Sequence, residues 1–365
     1  MTGTIGATRG HVVFAYPGDL ETRTGGYGYD RRIIAGLVAK GWVVDLLELG
    51  DGYPFPSAET KATAHRALEQ LAPGTCVVVD GLAFGVLPDI AHALSDRLKF
   101  IALVHHPLCK ENGIKAGVAS KMETSERAAL SQAARVIVTS SATGRQVQDL
   151  FGITDDRLHV VLPGTDVRSS QHVGQIDKGS QSRPSGPVQL LSVGSVAYRK
   201  GYDLLFDAIA DLSNFDWHLN VVGDHTRDPE CYRQLLEQLR KLELAERVTF
   251  HGTVDDARIS DFYQAADIFV LASRYEGYGM AYTEALAYGL PVIGSGAGAV
   301  QETLSGGGAL YCGVEDVNAL RDALRRTLTD LEFRISLGAE AAEASRKLPS
   351  WDDAAADFAG ILERS

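Results

Sequence analysis

The chain has 365 residues, enough for two domains of ordinary size. Its 45% hydrophobic and 22% charged content is that of a soluble globular protein, and no run approaches the roughly 18 apolar residues of a membrane span. A net charge of −12 with no basic stripe argues against nucleic acid as a partner. The charge is uneven: residues 1–167 carry 16 Lys/Arg against 18 Asp/Glu, and residues 188–365 carry 16 against 28. The near-neutral first part is the better candidate to meet an anionic acceptor or the surface of a membrane. Residues 1–10 show no basic-then-apolar signal pattern. The four cysteines, Cys76, Cys109, Cys231 and Cys312, are scattered and have no metal-ligand spacing, which suits a reduced cytoplasm.

Val12–Tyr16 reads as the first strand. It opens into a glycine-rich loop over residues 17–28, with Gly25, Gly26 and Gly28, and then a helix through Ala39. The loop is too long for a dinucleotide fingerprint and lacks the third glycine, so a dehydrogenase is disfavoured. Trp42–Leu49, Cys76–Asp80, Phe100–Val104, Arg135–Thr139 and Leu158–Leu162 read as further strands. They are apolar runs separated by helical stretches, which argues for a parallel sheet covered on both faces. Ligands on such sheets gather at the carboxyl ends of the strands. Gly26, His105, His106 and the turn over residues 162–166 lie at such ends.

Residues 168–187 are rich in Ser, Gln and Gly and read as a linker between domains 1–167 and 188–349. After it the rhythm restarts. Val188–Val193 is a strand opening into a loop from Gly194 to Gly201, where Arg199 and Lys200 stand side by side before a helix from Tyr202. Cations are disfavoured near a helix N-terminus unless an anion is present, so this pair suits a diphosphate. Trp217–Val222 ends at Gly223-Asp224, and Val248–His251 leads into Gly252-Thr253-Val254. Asp261–Ala266 reads as a short helix and Asp267–Ala272 as a buried strand. A loop follows, running Ser273-Arg274-Tyr275-Glu276-Gly277-Tyr278-Gly279-Met280-Ala281, and Glu284 lies about one turn into the next helix. Glycines there let backbone N–H groups approach a phosphate at the helix start. Carboxylates beside an anion site would accept hydrogen bonds from neutral hydroxyls, and a nucleoside diphosphate sugar has hydroxyls on both sides of its phosphates. Asp316–Leu331 reads as an amphipathic helix, and Ser350 caps a last helix anchored by Trp351.

The Glu-x7-Glu element Glu276…Glu284, set within Glu276-Gly277-Tyr278-Gly279, resembles the signature of retaining family 4 glycosyltransferases of the GT-B fold. The likeness is strongest over about residues 188–320. It implies an α/β architecture of two Rossmann-like domains facing a cleft, with the C-terminal helix of about 350–365 packing back on the first. It implies a donor site of Gly26, Gly194, Arg199, Lys200, Asp224, Thr253, Val254, Glu276, Gly277, Tyr278, Gly279, Met280, Ala281 and Glu284. Glu276 would contact the donor sugar, Glu284 the ribose, and the two cations the diphosphate. His105, directly after its strand, would contact the sugar being transferred, with His106 one residue off. The catalytic set is then His105, Glu276, Arg199 and Lys200. Gly25, His106, Lys110 and Glu111 would belong to the acceptor.

The expected reaction moves a hexose-type sugar with retention from a nucleotide sugar, most often a UDP-sugar in that family. The acceptor would be a small molecule, a glycan or a lipid-linked sugar. No two aspartates are separated by one residue in the chain, so the Asp-x-Asp metal element of the other large glycosyltransferase fold is absent and no metal or other cofactor is expected. The alternatives are a non-hydrolysing sugar-nucleotide epimerase of the same fold and a catalytically silent nucleotide-sugar-binding protein.

Overall fold

The computed structural model describes residues 9–111, 114–166 and 186–364. The chain divides into two compact units, one of residues up to 164 together with 349 onward, the other of residues 165–348. The expected linker, 168–187, lies outside the described residues as far as 185. Among the described residues no helix is long and apolar enough to cross a membrane.

The first unit begins with β1 (Gly10–Tyr16), α1 (Gly25–Ala39), β2 (Trp42–Glu48), α2 (Ala58–Glu69) and β3 (Cys76–Asp80). It continues through α3 (Gly81–Phe84), α4 (Pro88–Leu94), β4 (Lys99–Val104), α5 (Ala116–Ser131), β5 (Arg135–Val138), α6 (Ser141–Phe151) and β6 (Leu158–Val160). The six strands form one parallel sheet in the order β2-β1-β3-β4-β5-β6. The strand order reverses between β1 and β3, which is where an open α/β sheet leaves a crevice at its carboxyl edge. The apolar runs explain the sheet: Val77, Val79, Phe100, Ala102, Val104, Val136 and Val138 are buried in one cluster with the helices over them.

The glycine-rich stretch differs from its expected form. Gly25 and Gly26 are not loop residues but the first two residues of α1, because Thr24 is extended and its hydroxyl accepts the Tyr27 N–H at 3.4 Å. A side-chain cap starts the helix earlier than glycine content alone suggests.

The second unit holds β7 (Val188–Val193), α7 (Tyr202–Ala210), β8 (Trp217–Val222), α8 (Pro229–Lys241), β9 (Val248–Phe250), α9 (Asp256–Ala265) and β10 (Ile268–Leu271). Then come β11 (Tyr275–Glu276), α10 (Met280–Ala287), β12 (Val292–Gly294), β13 (Ala297–Gly298), α11 (Val300–Thr303), β14 (Ala309–Tyr311), α12 (Val317–Thr329) and α13 (Leu331–Ser345). Its sheet is parallel in the order β14-β12-β10-β7-β8-β9, so β7 and β10 flank the reversal. Alternate residues face opposite layers: Leu190, Ile268 and Val270 join one buried cluster, while Leu191, Phe269 and Leu271 join the other. Glu276, expected in an irregular loop, lies in β11, a two-residue strand paired in parallel with β13.

The last helix, α14 (Trp351–Leu362), is part of the first unit. Ser350 and Asp353 form a reciprocal capping box at its start. Trp351 meets the Tyr29 ring edge-on at 5.9 Å, and Lys40 Nζ lies 2.7 Å from Asp352 Oδ1. Both contacts tie α14 to α1.

Candidate active site

In the second unit the loops after β7 and β10 meet. The single turn Tyr198–Lys200 ends at Gly201, whose φ of +62° favours glycine; a Cβ there would lie 1.9 Å from the Ala272 carbonyl oxygen. Lys200 lies against Gly194, since a Cβ on that glycine would come within 3.0 Å of Lys200 Cε. Lys200 Nζ donates to Glu276 Oε1 at 2.6 Å, and Arg199 Nη1 donates to Glu276 Oε2 at 3.0 Å and to the Tyr275 carbonyl at 2.9 Å. Ser273 Oγ donates to Glu276 Oε1 at 2.5 Å. The cations and the acid, read separately in the sequence, form one cluster in which Glu276 is buried and Arg199 and Lys200 are half-buried. Burial opposes the Glu276 charge, but Lys200 and Arg199 outweigh it and hold the carboxyl down at about 2. The anion that permits two cations beside the start of α7 is Glu276 itself.

Gly279, with φ +94°, precedes α10, and no side chain caps that helix. The N–H groups of its first turn, at Met280 and Ala281, therefore face outward from the helix end. Gly277 is half-buried and Tyr278 buried beside them. Glu284 is half-buried, and its Oε2 accepts the Tyr263 hydroxyl at 2.8 Å. Tyr263, on α9, was not singled out from the sequence; its ring stacks at 4.9 Å on Tyr288, which closes α10. Asp224, after β8, turns its carboxylate into its own loop, accepting the Thr226 N–H at 2.8 Å and hydroxyl at 2.7 Å. Thr253 is exposed and Val254 half-buried after β9.

In the first unit His105 follows β4 directly. Its Nε2 is 3.1 Å from Asp30 Oδ1 and 3.8 Å from Asp80 Oδ2. Tyr29 meets its ring edge-on at 5.4 Å, and a Cβ on Gly26 would lie 3.3 Å from its Cδ2. A Cβ on Gly25 would meet open space. Asp30, in α1, sits four residues after Gly26 and so on the same helix face. Asp80 ends β3 and caps the next turn through the Leu82 N–H at 2.6 Å. Burial lowers the His105 pKa. It also raises Asp30 to about 7 and Asp80 to about 8, the latter helped by the Asp30 charge. Sequence reading missed both aspartates; the signals were the helical spacing from Gly26 and an acid closing an apolar strand.

The donor atoms of Asp30, Asp80 and His105 gather within 4.8 Å, as a divalent cation would require. The 3.1 Å separation, however, is that of a hydrogen bond between His105 and Asp30. His106 Nε2 lies 2.8 Å from Glu111 Oε2, and Lys110 is exposed in the turn Leu108–Lys110. Glu126 of α5 is buried under that turn, accepts the Leu108 N–H at 2.8 Å and is pushed up to about 8 by burial.

The raised acids give a pH prediction. Asp30 and Asp80 ionise near 3.8 in the unfolded chain but only near 7 and 8 in the fold, so the unfolded state loses its protons first. Their contribution to stability therefore falls as pH rises from about 4 to about 8. Asp80→Asn should flatten that fall, checked by urea midpoints at a series of pH values; an equally steep fall in the variant would show that Asp80 does not carry it.

A solved sucrose-phosphate synthase from Thermosynechococcus elongatus shares the fold with a TM-score of 0.78 at 22% identity, over 97% of this chain and 98% of that one. Anabaena HepE, solved in complex with UDP and glucose, gives 0.75 at 17% identity over 97% of this chain and 100% of that one. The chain has the GT-B fold. Residues 175–344 match the family of glycosyl transferases group 1. That group 1 segment contains Gly194, Arg199, Lys200, Glu276 and Glu284. The mannosylfructose-phosphate synthase of Agrobacterium fabrum is 30% identical over 222 residues, covering 58% of this chain and 49% of that protein. The chain spans about half the length of the curated relatives it matches.

Proposed function

We propose that the protein is a retaining, metal-independent glycosyltransferase that moves a hexose-type sugar from a nucleoside diphosphate sugar, by preference a UDP-sugar, to an acceptor hydroxyl. The observation that carries this reading is the Arg199–Lys200–Glu276 cluster beside the uncapped start of α10, where the strand order reverses. Two cations and helix N–H groups are what a departing diphosphate needs. The fold shared with HepE, which holds UDP, favours that nucleotide.

In this reading the acceptor oxygen attacks the anomeric carbon on the face from which the diphosphate leaves. The bond from that carbon to the phosphate oxygen breaks, and a phosphate oxygen takes the acceptor's proton. The group responsible for neutralising the leaving group is Arg199 with Lys200, held ready by Glu276. Glu276 remains ionised and so can accept hydrogen bonds from sugar hydroxyls. Glu284 reads the ribose, with Tyr263 orienting its carboxylate. The first unit, around Gly25, His106, Lys110 and Glu111, takes the acceptor, which is a small sugar, a glycan or a lipid-linked sugar. The free thiols of Cys76, Cys109, Cys231 and Cys312 fit the cytoplasm.

The test is incubation of the whole protein with a panel of nucleotide sugars, with and without candidate acceptors, in excess chelator. Nucleoside diphosphate release that rises with acceptor supports the proposal. An isomerised donor formed without acceptor points to an epimerase, and binding without turnover to a silent binder. Loss of activity on chelation contradicts metal independence. In the same assay Glu284→Ala should raise the donor KM about tenfold, as expected for one lost charged hydrogen bond, while changing kcat less. An unchanged KM would remove Glu284 from ribose recognition.

A further inference from the structure

Next to Glu276 lies a charged group to which the proposed reaction assigns no part. Arg274 is buried, two residues before Glu276. Its Nη1 donates to the Tyr198 carbonyl at 2.7 Å and to Asp203 Oδ1 at 2.8 Å, and its Nη2 donates to Asp203 Oδ2 at 2.6 Å. Its Nε donates to Glu315 Oε1 at 2.6 Å, and its guanidinium carbon sits 3.8 Å from the centre of the Tyr198 ring. Its own backbone N–H donates to the Arg199 carbonyl at 2.8 Å. One side chain thus grips the turn that carries Arg199 and Lys200 from below, through a carbonyl, a ring face and the first turn of α7.

The partner Glu315 has an unusual backbone of its own. Glu315 has φ +53°, a left-handed conformation that a residue with a Cβ adopts at some strain. The surrounding structure holds that conformation, and its carboxylate reaches the Arg274 Nε. The guanidinium is the group suited to this task. Its planar fork satisfies Asp203 with two parallel bonds while a third edge bonds Glu315, and its face stacks on an aromatic ring. An ammonium could make at most part of that set.

We propose that Arg274 is a positioning residue that fixes the Arg199–Lys200 turn for an incoming diphosphate. Arg274 need not touch the ligand; it acts through Tyr198 and Asp203. This inference rests on the donor reading above and deepens it.

The test uses the full chain and two probes, UDP by calorimetry and uridine by ligand-detected NMR. Four proteins are compared: wild type, Arg274→Lys, Asp203→Asn and Glu315→Gln. The last two alter more exposed partners and keep the test open if Arg274→Lys folds poorly. UDP affinity should fall about tenfold in Arg274→Lys and several-fold in Asp203→Asn and Glu315→Gln, while uridine affinity stays unchanged, because only the phosphates meet the cation pair. UDP affinity within twofold of wild type in all three variants would overturn the inference. So would a parallel loss of UDP and uridine binding, which marks a general loosening of the unit. A wild-type protein that binds neither UDP nor another nucleoside diphosphate would overturn the donor reading itself, and is distinguished by being seen before any substitution.

Discussion

Lys200→Ala should lower the rate of sugar transfer by roughly 10²- to 10³-fold, about 3 kcal/mol of transition-state stabilisation, as is typical for losing one preorganised donor to a developing oxyanion. Three features make Lys200 the larger of the two cation effects. Its side chain is only 12% exposed, against 21% for Arg199, so its charge acts in a drier setting. It rests on Gly194, where a Cβ would lie 3.0 Å from its Cε and press on it. It makes the shorter contact with Glu276. The loss should fall on kcat more than on donor KM if the charge matters mainly as the bond to phosphate breaks. Steady-state kinetics with a fixed acceptor checks this, with circular dichroism to show that the variant is folded. A wild-type rate in a folded Lys200→Ala protein would contradict the role.

Glu276→Ala should destabilise the second unit by about 3 kcal/mol, the usual scale for removing one partner of a buried ion cluster. The two cations left behind are both largely covered, so solvent screens them little. The corresponding pH effect has a defined sign. Glu276 ionises at about 2 in the fold and near 4.5 unfolded, so its contribution is full above pH 4.5 and is lost as pH falls toward 2. Wild type should lose stability through that window more steeply than Glu276→Gln. Urea unfolding at pH 5 and at pH 3 measures the difference; equal slopes for the two proteins would mean that the cluster does not hold Glu276 ionised. Activity should fall as well, since the same side chain holds Arg199 and Lys200 in place.

Much of the architecture was legible in the chain because buried parallel strands are short apolar runs. Cys76–Asp80, Val188–Val193 and Trp217–Val222 have the bounds that their sequence suggests. The last helix could be read from Ser350 and its capping partner Asp353. The start of α1 was misplaced because a threonine cap outweighs two glycines at a first turn. The helix Leu331–Ser345 gave no clear signal, since it packs through small residues: a Cβ on Gly308 would lie 2.2 Å from Ala341 Cα. Close approach of that kind leaves no periodic stripe of large apolar side chains.

The site divides along the same line. Local motifs named Glu276, Glu284, Arg199 and Lys200. They could not show that Lys200 and Glu276, 76 residues apart, share a hydrogen bond, because that depends on which two strands flank the reversal in the sheet. Asp30, Asp80 and His105 come from three separate elements, and only the fold brings them together. Arg274 stands in a loop, and only the fold places its partners Asp203 and Glu315 around it.

A crystal structure of the full chain with bound UDP tests the central claim most directly. The account predicts both phosphates within hydrogen-bonding distance of Arg199, Lys200 and the backbone N–H groups at Met280 and Ala281, with the ribose hydroxyls on Glu284. A nucleotide bound away from the carboxyl ends of β7 and β10, with Arg199 and Lys200 still engaged only with Glu276, would contradict it.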